Sequence, residues 1–212
     1  MKTVDIAELF VSIQGESTYA GLGCFFIRLA ECNLRCDYCD TPEALESGQQ
    51  DMTIESIVRK VAGSSAPLVE ITGGEPLLQT SFTALADALL AIPGKTVLVE
   101  TNGSLDIGLI PKGAVAIVDV KCPGSGAGNS FDLRNLERLR HRDELKFVLV
   151  DRADYEWASA FVRKHDLGVR GGKIHFSPVQ GELDAGRLGE WILEDGLPVR
   201  LQVQLHKAIG MA

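Results

Sequence analysis

The chain has little that would mark it as a membrane, fibrous or disulfide-stapled protein. None of its apolar runs approaches the ~18 residues of a membrane-spanning helix, so no membrane association is expected. Basic residues are the minority charge: 21 Lys and Arg stand against 29 Asp and Glu, a net charge of −8. That balance disfavours non-specific nucleic-acid binding, which needs a basic footprint. The first residues carry Asp5 where a signal peptide has a basic-then-apolar pattern, so no targeting segment is expected and the cytoplasm is the expected location. Low-complexity tracts, internal repeats and linkers are missing too, which points to one domain over 1–212. Cysteine is scarce and odd in number: Cys24, Cys32, Cys36, Cys39 and Cys122. An odd count without a leader argues against a disulfide framework and for a metal site in a reducing compartment. What remains, 45% hydrophobic and 24% charged over 212 residues, is an ordinary globular composition. A chain of that length can bury a core without staples.

Short apolar runs at 24–30, 68–72, 96–100, 115–120, 145–150, 173–176 and 199–205 read as strands, mostly buried on both faces. Helical patterns at 54–62, 82–91, 133–140, 155–164 and 187–193 lie between them. Ser130 or Asp132 is placed to cap the third helix, and Asp154 stands near the start of the fourth. Pro93-Gly94, Asn102-Gly103 and Gly171-Gly172 mark joins, and the Gly-rich stretch 123–128 follows a strand end as a candidate active-site loop. Alternating strands and helices imply a parallel sheet with right-handed crossovers. A full eight-fold barrel takes ~250 residues. The fold class expected is therefore α/β, an incomplete, open TIM-like β/α barrel, with its chemistry at the carboxyl ends of strands.

Cys32, Cys36 and Cys39 have the spacing CxxxCxxC just after a strand, with Tyr38 before the last cysteine. Thiolates suit zinc or an iron–sulfur cluster. A closed zinc site wants four protein ligands, and His141, His165, His175 and His206 are all distant in sequence. Three thiolates on a [4Fe–4S] cluster leave one iron open to a small molecule. Zinc, or unrelated buried thiols, is the alternative.

CxxxCxxC with this aromatic resembles the radical S-adenosylmethionine (SAM) superfamily, and Ile71-Thr72-Gly73-Gly74-Glu75-Pro76 adds a second mark of it. Further stretches narrow the resemblance: 10–17 with Gln14-Gly15-Glu16, then Gly21, 26–28, Cys39-Asp40-Thr41 and the tail 202–210 with His206-Lys207. Together they resemble the 7-carboxy-7-deazaguanine synthases over nearly the whole chain. The resemblance implies conversion of 6-carboxy-5,6,7,8-tetrahydropterin to 7-carboxy-7-deazaguanine with loss of ammonia, on the queuosine and 7-deazapurine route. It implies a [4Fe–4S] cluster, SAM used catalytically and Mg²⁺ as cofactors. It also implies a homodimer, an electron donor such as flavodoxin or ferredoxin, a small pterin substrate and a partial TIM-like barrel. No side chain is implied as a catalytic acid or base for the first step.

Carried over by position, Cys32, Cys36 and Cys39 match cluster ligands, and Thr41 a Mg²⁺ ligand. Tyr38, Cys39, Asp40, Gly74, Asp119, Val120, Lys121, Ser177, Pro178, Val179 and Gln180 match SAM-binding positions. Ile13, Gln14, Gly15, Glu16, Arg28, Thr72 and His206 match substrate contacts. Gln14 has the donor–acceptor pair that reads a pterin edge. Arg28 interrupts an apolar strand, and its guanidinium suits a carboxylate; an ion pair inside the barrel is the other reading. Asp119 and Lys121 read equally well as a salt-bridged pair, and residues 100–103 either face the SAM ribose or form a plain turn. The family commonly ends on proline, whose carboxylate lies near substrate; here Ala212 takes that place. Ser17 also stands where glycine is common. A glycyl-radical-activating enzyme and a zinc or electron-transfer module are the rival classes. A direct tRNA binder is disfavoured by the charge.

Overall fold

The computed structural model describes residues 2–170 and 173–211, so the Gly171-Gly172 join and Ala212 lie outside the described residues. The first strand, β1 (Thr3–Ile13), has no apolar run to mark it, because Asp5 and Glu8 interrupt its hydrophobic residues. It pairs antiparallel with β2 (Gly23–Leu29) on one side and β3 (Asp51–Thr53) on the other. The expectation of a wholly parallel sheet is therefore wrong at this end, where a short connection allows an antiparallel pair.

From β2 onward the chain alternates as expected. α1 (Ile54–Ala62), β4 (Leu68–Gly73), α2 (Phe82–Leu90), β5 (Thr96–Thr101) and β6 (Val115–Asp119) come first. α3 (Asn135–Arg138), β7 (Glu144–Leu149), α4 (Arg152–Lys164), β8 (Ile174–Pro178), α5 (Ala185–Asp195), β9 (Arg200–Leu201) and α6 (Leu205–Ala208) follow. The sheet runs β3-β1-β2-β4-β5-β6-β7-β8-β9, parallel from β2 to β9.

Two expected elements shrink. The strand expected over 199–205 keeps only Arg200–Leu201, and Leu205 already begins α6. The helix expected over 133–140 keeps only Asn135–Arg138, and neither Ser130 nor Asp132 is its N-cap; Arg134 is. Buried Asn135 explains the break, since its amide donates to the carbonyls of Gly103 at 2.9 Å and Leu105 at 2.8 Å. The fourth helix begins one turn earlier than expected, with Asp151 capping it by accepting the Asp154 N–H at 2.9 Å.

Side chains alternate across the strands. On one face Ile71, Val99, Val118, Phe147 and Phe176 form the main core with the helices. On the other, Cys24, Phe26, Leu68, Leu98, Val115 and Ile117 make a small apolar layer. Glu70, Thr72, Glu100, Asp119, Lys146 and Ser177 alternate with the core residues along the same strands and so face the lumen with that layer.

The sheet is open, yet it curls. The Thr18 N–H donates to Glu144 of β7 at 2.9 Å, and the Leu205 N–H donates to the Gly15 carbonyl at 2.9 Å. Segments following the first and last strands thus meet across the lumen. Because β1 is antiparallel, Ile13 pairs with Gly23 at the start of β2. Residues 14–18 therefore start from the amino ends of the parallel strands, opposite the cysteine loop that leaves the end of β2.

Phe147 is fully buried between Phe161 and Phe176, at centroid distances of 5.7 and 5.4 Å. Phe147→Ala is expected to destabilise the fold by about 3–5 kcal/mol. Urea unfolding measures this; a loss below ~1 kcal/mol would contradict the packing.

Candidate active site

The loop after β2 brings Cys32, Cys36 and Cys39, all half-buried, to one wall of a cavity of about 230 Å³ in the lumen. The Cys39 N–H donates to the Cys36 carbonyl at 3.2 Å, closing a turn between them. The Cys32 sulfur accepts the Leu34 N–H at 3.4 Å and the Asn102 amide at 3.9 Å. The 123–128 loop braces this turn from outside: the Asp37 N–H donates to the Ser125 carbonyl at 3.0 Å. Burial raises the Cys32 and Cys36 thiols, and the neighbouring cysteines add to the rise. Such thiols become ligands when a metal centre takes their protons. Among the described residues no group of three His, Cys, Asp or Glu side chains is already arranged around a single metal ion. Three thiols on one cavity wall, with N–H donors aimed at Cys32, fit a cluster whose irons each take one thiolate.

The end of β4 is packed against the same loop. A Cβ on Gly74 would stand 2.2 Å from the Glu31 carbonyl oxygen, and one on Gly73, at φ +139°, 2.1 Å from that of Leu29. Only glycine permits this approach. Fully buried Glu75 joins the ends of β4 and β5: its carboxylate accepts from Thr101 Oγ1 at 2.9 Å, Asn102 N at 2.7 Å and Leu77 N at 3.0 Å. Glu75 thereby places the Asn102 amide that reaches Cys32.

The deeper wall is charged. Lys146 Nζ donates to Glu16 at 2.7 Å and to Glu100, and lies 3.9 Å from Asp119. Gln204 donates to the other Glu16 oxygen at 2.7 Å. Burial opposes the Glu16 charge, but Lys146, Gln204 and His206 outweigh it and hold the carboxyl at about 2. Gln14 donates to Glu70 and accepts the Glu16 N–H at 2.8 Å. His206 occupies the space a Gly15 side chain would need, its Nδ1 1.8 Å from that Cβ position. Burial keeps the His206 imidazole below its usual range. Lys207 ties the tail to the cysteine loop through Asp40 at 2.7 Å.

The sequence profile of the Radical SAM superfamily matches residues 27–118. Over 220 aligned residues the chain is 44% identical to the 7-carboxy-7-deazaguanine synthase of Koribacter versatilis, covering 97% of this chain and 96% of the relative. The enzyme of that name from Chlorobaculum tepidum is also 44% identical, over 97% of this chain and 94% of its own. This chain belongs to the 7-carboxy-7-deazaguanine synthase family. The crystal structure of QueE from Escherichia coli superposes with a TM-score of 0.77 at 24% identity, covering 96% of this chain and 95% of that one. That likeness matches the open, partial barrel.

Most positions matched to this synthase family meet in the one cavity. Ile13, Gln14, Gly15, Glu16, Arg28, Thr72 and His206 line it together with Tyr38, Asp40, Thr41, Gly74, Asp119, Lys121, Val179 and Gln180. Val120 instead lies in the outer core, Ser177 is buried within β8, and Pro178 borders an adjoining pocket. Asp119 and Lys121 are both a salt bridge, at 2.8 Å, and part of the cavity wall; Lys121 also sits 5.6 Å from the Tyr38 ring. Arg28 has Glu8 3.5 Å from an Nε that makes no hydrogen bond, with Phe10 against its guanidinium. Glu100, Thr101 and Asn102 line the cavity as well. Glu70 and Lys146 join the wall without any motif to mark them, and Gln204 and Lys207 join it from the tail 202–210, where the resemblance gives a site role to His206 alone. Glu70 and Lys146 do carry the signal that marks Arg28, a charged residue inside an apolar strand run.

The Glu16 carboxyl is held at about 2 against an ordinary 4.5. Its pairing therefore stabilises the fold fully above pH 4.5 and less as pH falls towards 2. The stability gap between wild type and Glu16→Gln is expected to narrow across that window in denaturant melts. A constant gap would refute the pairing.

Proposed function

We propose that this chain is a radical SAM lyase. It converts 6-carboxy-5,6,7,8-tetrahydropterin to 7-carboxy-7-deazaguanine with release of ammonia, in queuosine or 7-deazapurine biosynthesis. The supporting observation is one cavity with two chemically different walls: the three-cysteine loop with Gly74 on one side, and Gln14, Glu16, Arg28 and His206 on the other. Cys32, Cys36 and Cys39 would hold the [4Fe–4S] cluster, and Thr41 a Mg²⁺ ion, which prefers hard oxygen ligands. A reduced cluster with SAM supplies one-electron chemistry that removes a hydrogen atom from the pterin.

The rest falls to the chain's own groups. Tyr38, Asp40, Gly74, Asp119 and Lys121, with Val179 and Gln180, would line the SAM site, with Val120, Ser177 and Pro178 behind them as its support. Arg28, whose Nε makes no hydrogen bond, would grip the substrate carboxylate through its guanidinium N–H groups. Gln14 reads the pterin edge, while Ile13, Gly15, Thr72 and His206 shape the rest of its site. Burial in the lumen keeps water away and holds reactants in attack geometry. A flavodoxin- or ferredoxin-like electron donor, a homodimer and a cytoplasmic location complete the proposal.

After anaerobic reconstitution and reduction, wild type with SAM, Mg²⁺ and 6-carboxytetrahydropterin is expected to release 7-carboxy-7-deazaguanine over many turnovers. Cys36→Ala is expected to lose both bound iron and turnover. SAM cleavage without product would discard the substrate, and zinc without sulfide would discard the radical chemistry. Arg28→Ala is expected to keep its iron but raise KM roughly 10- to 150-fold, the ~1.5–3 kcal/mol of a hydrogen bond to a charged group. An unchanged KM would remove Arg28 from the substrate site.

A further inference from the structure

At the base of the lumen one acid, Glu70, stands between members of the small apolar layer. Phe26, Glu70 and Leu98 are neighbours in register on β2, β4 and β5. Cys24, Leu68, Val115 and Ile117 complete the layer. Valine or leucine at position 70 would extend this layer at no polar cost. An acid there, 1% exposed, costs desolvation energy unless its hydrogen bonds are met.

One partner stands out. Glu70 accepts a hydrogen bond from Gln14 Nε2, while Gln14 Oε1 accepts the Glu16 N–H at 2.8 Å. A carboxamide has two N–H groups and two oxygen lone pairs. These two bonds use one of each and fix which end of the amide is which. The remaining N–H and lone pair then have a set direction at the cavity wall that Gln14 lines. The register neighbours of Glu70, Phe26 and Leu98, offer Gln14 Nε2 no acceptor, so removing the carboxyl leaves the amide with the Glu16 N–H bond as its one remaining named anchor.

The geometry points to Glu70 as a positioning residue for the pterin: it locks the Gln14 carboxamide in one orientation. This rests on the function proposed above. Buried beside Glu100 and Glu16, the Glu70 carboxyl is shifted towards its neutral form. Burial first, then the charges of Glu100 and Glu16, push its carboxyl well above the usual range. Lys146 is meanwhile engaged by Glu16 and Glu100. A glutamine at position 70 would therefore keep the interaction, its oxygen accepting from Gln14 and its amide facing Glu100. Leucine would remove the acceptor and match the apolar layer.

The test uses reconstituted holoenzyme. It measures the fluorescence-detected Kd for 6-carboxypterin, the KM for the tetrahydropterin, and the melting temperature. Glu70→Leu is expected to weaken binding about tenfold, the worth of one hydrogen bond, while melting no lower than wild type. Glu70→Gln is expected to stay within about threefold of wild type, because the bond to Gln14 survives. In a Gln14→Ala background, Glu70→Leu is expected to add less than about twofold, because two residues acting through one contact are not additive. Wild-type affinity in Glu70→Leu would overturn the inference, as would a tenfold loss in Glu70→Gln or additive losses in the double variant. Should Glu70→Leu fail to fold, the Glu70→Gln result decides. A wild type that neither binds pterin nor forms product would overturn the proposed function, and this inference with it. A wild type that does both, beside insensitive variants, would overturn this inference alone.

Discussion

One buried ammonium organises the lumen. Lys146 of β7 meets Glu16 from the segment after β1 and Glu100 from β5, and lies 3.9 Å from Asp119 of β6. Four acids, Glu16, Glu70, Glu100 and Asp119, share this space. Without the lysine they would repel one another in a medium that screens poorly. Lys146 draws two of them into ion pairs, Lys121 pairs with Asp119, and burial beside Glu100 and Glu16 pushes the Glu70 carboxyl towards its neutral form. A buried ion network of this kind is weak ground for claiming net stability. Its effect here is geometric, because it anchors the segment 14–18 to the far side of the sheet.

The opposite wall depends on close backbone approach rather than charge. Gly73 and Gly74 let the end of β4 touch the carbonyls of Leu29 and Glu31, where any side chain would collide. Glu75 then gathers the ends of β4 and β5, and Asn102 reaches the Cys32 sulfur. The two walls are linked twice, by Lys207 to Asp40 and by the Leu205 N–H to the Gly15 carbonyl. The C-terminal segment thus holds the 14–16 wall and the cysteine loop in one frame.

Much of this is legible in the amino-acid order, and the failures have physical causes. The buried parallel strands show as apolar runs, since helices cover one face and the lumen the other. β1 shows no such run because it is antiparallel and mixes acids with its apolar residues. Val199, Leu201, Val203 and Leu205 alternate like a strand, yet β9 pairs only with β8, over two residues. Beyond it the chain turns inward, because Leu205 and Gln204 find partners at Gly15 and Glu16. Arg28, Glu70 and Lys146 all stand out as charges in apolar surroundings, but only Arg28 lies within a stretch, 26–28, that the family resemblance marks.

What the order of residues determined alone is local: the cysteine spacing, the double glycine, the strand–helix rhythm and which charged residues must be buried. These follow from chain geometry within a few residues and from the water each side chain avoids. Which buried charges meet was decided only by the fold. Gln14 and Glu70 are 56 residues apart, Lys146 and Glu16 130, and Gln204 and Glu16 188. Contacts at such separations depend on strand order, the antiparallel turn of β1 and the curl of the open sheet. No periodicity along the chain encodes those, because each arises from how whole elements pack against one another.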